Sequence, residues 1–254
     1  MSTNDHRTRK RRIAGAGPGA EPCGAVLVTA ALAGPAVAGY LLPGLAGAWP
    51  ALRGPLGVED RTASGRGYAL TFDDGPHPQG TPAMLEILRR ERVSATFFLV
   101  GEQVLRAPAL AREIADAGHG IALHCHRHRN LLRLSPRQTR ADITTAHEII
   151  AEHTGRSPRL YRPPYGILNA SALRLARAHG WRTMLWSQWG RDWAKRATPA
   201  SIAARVTDGV DEGAVLLLHD ADDYSAPGSW QRTAAALPRI LDTLAERGLQ
   251  PVAP

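Results

Sequence analysis

Residues 68–76 read YALTFDDGP, an apolar run that stops at two adjacent carboxylates and a Gly-Pro turn. Five residues are too few for a stable helix and suit a buried strand bounded by a turn. Working outward, the same kind of run recurs at Ala95–Val100, Ile121–Leu123, Leu160–Tyr161, Thr183–Trp186 and Val215–Leu218, with a weak last one near Pro251–Val252. Between these lie helical patterns at Pro82–Glu91, Pro108–Ala117, Pro136–His153, Ala170–His179, Pro199–Asp208 and Trp230–Arg247. Ser135-Pro136 and Thr198-Pro199 have the order of an N-cap followed by the first helical residue, and Gly118, Gly155, Gly180 and Gly248 stand where helices should end. Strand and helix in alternation predict an α/β fold with a parallel sheet, and six or seven units fit a barrel smaller than the eightfold one.

In such folds, sites form at the carboxyl ends of the strands. Five strand ends carry ionisable groups: Asp73-Asp74, His124 to His128, Arg162 to Gly166, Gln188 to Trp193 with Asp192, and His219-Asp220. Taken singly, each has an ordinary explanation. Paired carboxylates cap turns, and two histidines four apart often sit in a polar loop. Taken together, one carboxylate and two imidazoles form a ligand set that leaves a zinc position open for water, and a second carboxylate can serve as base.

The ordered series TFDDGP, HCHRH, YRPPYG, RDW and LLLHD resembles the polysaccharide deacetylase family with the NodB homology domain, carbohydrate esterase family 4. The resemblance spans about Tyr68 to Val252. It implies a distorted (β/α)7 barrel with parallel strands and metal-dependent hydrolysis of N-acetyl, sometimes O-acetyl, groups on chitin-like or peptidoglycan sugars. Residue by residue, it implies Asp73 as general base, Asp74, His124 and His128 as metal ligands, and Arg162 as the partner that orients Asp73. It implies His219 as the acid that protonates the departing amine and Asp192 as the group that tunes it. The backbone N–H of Tyr165 would meet the oxyanion, Leu217 would line the acetyl-methyl pocket, and Trp193 would wall the groove. Leu217 fits an ordinary core leucine equally well. The metal implied is Zn2+, with Co2+, Ni2+ and Mn2+ as alternatives.

Three positions depart from the family pattern. Cys125 stands where Ser or Thr usually follows the first metal histidine, and is read as a spectator. His126 is an extra imidazole, expected to face solvent. Trp189 replaces the usual first Asp of the fourth motif. The rival activities are a deformylase or other amide hydrolase acting on a lipid-linked sugar or small molecule, and a catalytically inactive glycan-binding relative.

The N-terminal part differs in composition. Residues 1–24 form a polar tail containing the basic run 9–12, and no charged residue occurs from Pro22 to Leu52. Residues 25–48 are long enough to span a bilayer, although Pro35 and Pro43 would kink a helix. The preceding cations predict an N-terminus inside and the rest of the chain outside. A cleaved signal peptide competes with an anchor, since Ala46 and Ala48 make an A-x-A site. An Ala/Gly leader without structure is the third reading. Residues 49–66 read as a linker and 67–254 as the deacetylase domain, on an extracytoplasmic protein that is membrane-anchored or secreted.

The net charge of +8 raises nucleic acid as a partner, but all but two of the 31 cationic residues are arginine and they are spread along the chain. No basic-aromatic block or nucleic-acid motif accompanies them, so no nucleic-acid partner is expected. Two cysteines, Cys23 and Cys125, exclude a disulfide scaffold and a Cys-rich zinc module. The partner expected is an N-acetylated polysaccharide or oligosaccharide.

Overall fold

The pleat of one strand explains the architecture. In β2 (Tyr68–Asp73) every residue is buried, so the strand is covered on both faces. Leu70 and Phe72 join the large cluster with Phe97, Leu99 and the helices, whereas Ala69 joins Phe98, Ala122, Met184 and Val215 in a second, smaller one. Side chains alternate across a strand, so Thr71 and Asp73 share the face of Ala69. Fully buried Leu and Phe side chains contribute roughly 1.5–3 kcal/mol each, which makes the apolar outer face the main source of stability.

The structure is a computed structural model describing residues 34–254, and Ala38–Pro254 forms one compact unit. Along the chain come β1 (Val58–Glu59), β2, α1 (Gly80–Glu91), β3 (Thr96–Val100), α2 (Gly101–Arg106), α3 (Pro108–Asp116), β4 (Gly120–Cys125) and α4 (Pro136–Thr154). Then follow β5 (Leu160–Tyr161), α5 (Ala170–Ala178), β6 (Arg182–Met184), β7 (Gln188–Trp189), α6 (Pro199–Thr207), β8 (Ala214–His219) and α7 (Ser229–Glu246). All strand pairs are parallel, in the order β1-β6-β5-β4-β3-β2-β8-β7.

The expected distorted (β/α)7 barrel is corrected in two respects. Eight strands take part, and the edge strands β1 and β7 do not pair, so the sheet is a curled half-barrel. The helix starts follow the local chemistry: Ser135 with Gln138 and Thr198 with Ser201 form capping boxes, each with Pro at the first turn. Gly155 closes α4 at φ 69°, a left-handed position open to glycine at little cost. The Pro251 segment contributes a single bridge to Tyr68.

Residues 49–66, expected as a linker, are folded instead. A short helix at Arg53–Leu56 leads into β1, whose Val58 and Glu59 align with Thr183 and Met184 of β6. Arg53 pairs with Asp60 and donates to the Ala46 and Trp186 carbonyls. A two-residue strand carries no readable period, which is why composition alone suggested a tether.

Of the apolar segment 25–48 and the tail 1–24, residues 1–33 lie outside the described residues, Cys23 among them. Within the remainder, Leu42–Gly47 is a 3-10 helix with Pro43 in its first turn, and Ala46 is fully buried. The Tyr40 hydroxyl donates to the Leu134 carbonyl and accepts from the Asn169 amide, both at 2.8 Å. Among the described residues no helix is long and apolar enough to cross a membrane.

Candidate active site

Adjacent parallel strands in register bring their carboxyl ends together. Asp73 aligns with His219 of β8 on one side and with Phe98 of β3 on the other. Asp74 follows at φ 83°, an uncommon conformation for a residue with a side chain. Its carboxylate Oδ1 lies 3.5 Å from His124 Nε2 and 3.3 Å from His128 Nε2. One ligand atom from each of the three falls within 4.8 Å of the others.

The donor chemistry fits a divalent cation. Asp74 Oδ1 is buried and has no hydrogen-bond partner among the described residues, an arrangement that is expensive without a positive charge to face. Burial alone would raise the Asp74 carboxyl, but the imidazoles around it, His124 foremost and then His219 and His128, bring it down to about 2. Burial lowers His128 to about 4, with His124 and His219 adding to the effect against the pull of Asp74, so its imidazole is neutral at pH 7 and able to ligate. His124 Nδ1 lies 2.7 Å from the Arg162 carbonyl, which fixes Nε2 toward the site.

Two residues expected to act in catalysis stand behind the cleft and do not line it. Arg162 is fully buried, donates from Nη1 to Asp73 Oδ1 at 2.6 Å and to Thr71 Oγ1 at 2.9 Å, and reaches the Met184 and Leu185 carbonyls through Nε and Nη2. Its guanidinium lies 3.9 Å from the Phe98 ring centroid. Burial pulls the Arg162 pKa down, opposed by the Asp73 carboxylate. Asp192, likewise fully buried, accepts from His219 and from the Thr233 hydroxyl. Both residues hold a partner that faces the cleft.

The cleft itself is about 220 Å3 and is lined by Asp73, Asp74, His124, His128, Tyr165, Leu217, Trp193 and His219. Tyr165 occupies a left-handed position at φ 60° in the turn Pro164–Gly166 and is more than half exposed. Leu217 is 3% exposed at the cleft floor, so it belongs to core and cleft at once. Trp193 meets His219 edge-on, with ring centroids 5.4 Å apart.

Four further lining residues were not singled out as site residues from the sequence: Trp186, Trp189, Tyr224 and Ser225. Trp189 is 41% exposed, stacks on Trp186 and meets Trp193 at a 48° tilt. Tyr224 and Ser225 lie in the loop 220–228 after β8, whose run of Asp, Ser, Pro and Gly signals a turn and nothing more specific. Cys125 is fully buried, and burial pushes its thiol well up, so it presents no thiolate to the cleft. His126, expected to face solvent, is partly exposed, with its Nδ1 enclosed beside Gly101.

The chain is similar to several known proteins. The sequence model described as polysaccharide deacetylase matches residues 60–184. A peptidoglycan-N-acetylglucosamine deacetylase of Bacillus cereus is 36% identical over 71% of this chain and 82% of its own length. A chitooligosaccharide deacetylase of Bradyrhizobium sp. is 34% identical over 73% of this chain and 87% of its own. Among solved structures, the Bc1960 peptidoglycan N-acetylglucosamine deacetylase superimposes with a TM-score of 0.72 at 31% identity, covering 78% of this chain and 90% of that one.

Proposed function

Because this chain belongs to the polysaccharide deacetylase family, a family of carbohydrate esterase hydrolases, we propose that it removes acetyl groups from N-acetylated sugars of a peptidoglycan or chito-oligosaccharide, releasing acetate. The observation that carries the reading is the unpartnered Asp74 Oδ1 facing two imidazoles, with a held carboxylate and a held imidazole beside it in one cleft. Asp74, His124 and His128 hold the divalent cation, with Zn2+ as the first choice for an N2O donor set. When bound, that ion supplies Lewis acidity to the amide carbonyl and lowers the pKa of water.

The remaining steps belong to the protein. Asp73, held by Arg162, takes the proton of the attacking water. The Tyr165 backbone N–H meets the developing oxyanion. His219 is a cation at neutral pH with Nδ1 tied to Asp192, so its Nε2–H is the proton given to the leaving amine. Leu217 bounds the space for the acetyl methyl, and a small apolar pocket discriminates only modestly per methylene. The basic run 9–12 ahead of a charge-free segment supports placing this chemistry outside the cytoplasm.

The test is acetate release from chitotetraose and from peptidoglycan, with and without chelator. Release that needs metal is the expected result. A metal-replete protein inactive on every N-acetyl glycan but active on a formamide sugar would overturn the reading in favour of a deformylase.

A further inference from the structure

The two metal-facing imidazoles are held in different ways. His124 gives its second ring nitrogen to a backbone carbonyl, the Arg162 O at 2.7 Å, as ligating histidines almost always do. His128 has no such support: its Nδ1 is buried without a hydrogen-bond partner among the described residues. Yet a ligand must present its lone pair within a narrow angle, and a ring free to turn about χ2 would lose that.

What holds the His128 ring is aromatic. The Tyr224 ring lies flat against it, with centroids 4.5 Å apart and planes inclined by 14°. On another side Tyr165 meets it edge-on at 4.5 Å and 72°. Tyr165 is more than half exposed, so it is the softer wall. Tyr224 is anchored: its hydroxyl donates to Glu102 Oε1 at 2.6 Å and accepts from Gln103 Nε2 at 3.1 Å. Gln103 is itself buried in α2, and Arg106 of the same helix reaches Asp223 at 3.6 Å. A flat ring fixed at its far end by two hydrogen bonds sets the plane of the imidazole stacked on it.

We propose that Tyr224, clamped by Glu102 and Gln103, is the positioning residue that orients His128 toward the metal in place of the missing second hydrogen bond. The inference rests on the metal-dependent reading above. Tyr224 offers no ligand atom to the Asp74–His124–His128 cluster, so its effect is on metal affinity first and turnover second.

The experiment measures Zn2+ affinity by chelator competition, and the visible spectrum of the Co2+-loaded full chain, for the wild type and for Tyr224→Ala, Tyr224→Phe and Leu105→Ala. Tyr224→Ala is expected to lose Zn2+ affinity by about tenfold or more and to show an altered Co2+ spectrum, as removal of an outer support does. Tyr224→Phe keeps the flat ring and should fall between it and the wild type. Leu105→Ala, at an exposed position of the helix that carries Glu102 and Gln103, should bind like the wild type. Circular dichroism of the metal-free variants checks folding, and Tyr224→Leu replaces the Ala variant if that one unfolds. Unchanged affinity and spectrum in folded Tyr224→Ala or Tyr224→Leu overturn the inference and leave the metal reading intact. Wild type that takes up neither ion overturns both.

Discussion

Asp192 holds His219 with both of its oxygens, Oδ1 lying 2.9 Å from the ring Nδ1 and Oδ2 accepting the backbone N–H at 2.7 Å. Burial alone would lower the imidazole, but the charge and hydrogen bond of Asp192, aided by Asp74 and Asp73, push it up to about 10. Asp192→Asn removes most of that pull. The alkaline limb of the pH–rate profile should then move to lower pH, and kcat should fall by about 10²-fold or more if the acid is lost. The pair also affects folding: a pKa raised from 6.5 means stabilisation complete below about pH 6.5 and lost as pH rises toward 10. An alkaline limb unmoved in the variant would remove His219 from its role as acid.

Arg162 and Asp73 form a buried ion pair. Arg162→Met should destabilise the protein by about 3–5 kcal/mol in urea titrations, since it leaves a buried charge unpaired. Asp73→Asn keeps the volume and should abolish acetate release while Zn2+ binding persists. Retained turnover in that variant would refute its assignment as base.

Metal removal should act on stability as well as on rate. Zn2+ binds the assembled triad and not the unfolded chain, so at 100 times its Kd it should add about 2.7 kcal/mol and raise Tm. Asp74→Asn weakens the donor set and should shrink that increment sharply. An equal Zn2+-induced rise in both proteins would place the ion elsewhere, and His77, Asp222 and Asp223 form the other cluster within reach of one ion among the described residues.

Asp220 is fully buried beneath the site, accepts a hydrogen bond from the Thr81 hydroxyl, and leaves Oδ1 without a partner. Burial lifts its carboxyl from 3.8 to about 7. The folded state therefore holds a proton that the unfolded chain has lost, and stability from this group falls as pH rises from about 4 to 7, by up to about 1.4 kcal/mol per unit. Asp220→Asn should flatten that slope. Urea unfolding at pH 5 and pH 8 reads the difference, and identical slopes would show that Asp220 titrates normally.

Gly47 passes so close to the Tyr165–Gly166 turn that an added Cβ would lie 2.8 Å from the Gly166 carbonyl oxygen. Gly47→Ala should displace the turn and lower kcat with little change in KM, whereas Gly54→Ala, with nothing within 4 Å, should behave as the wild type. Equal kinetics in the two variants would show that the turn tolerates the push.

The sequence made one class of residue legible. Asp73, Asp74, His124, Arg162 and His219 lie at or beside strand ends, where a parallel sheet collects its polar groups, and short apolar runs locate those ends. Tyr224, Glu102 and Trp186 escape that logic because their contacts join distant segments: Tyr224 meets Glu102 across 122 positions. β1 is two residues long, and α2 follows β3 with no intervening turn, so neither shows a period of its own. Strand closure was also invisible, because whether the first and last strands meet depends on accumulated curl and leaves no trace in local pattern.

The stretch from Tyr40 to Ala46 packs on the domain, the Tyr40 hydroxyl joining Leu131 O and Thr139 Oγ1 as acceptors of the buried Asn169 amide. A cut after Ala48, where the A-x-A pattern lies, would therefore take away a piece of the folded unit itself, and with it the Tyr40 hydroxyl that bridges the Leu134 carbonyl and the Asn169 amide.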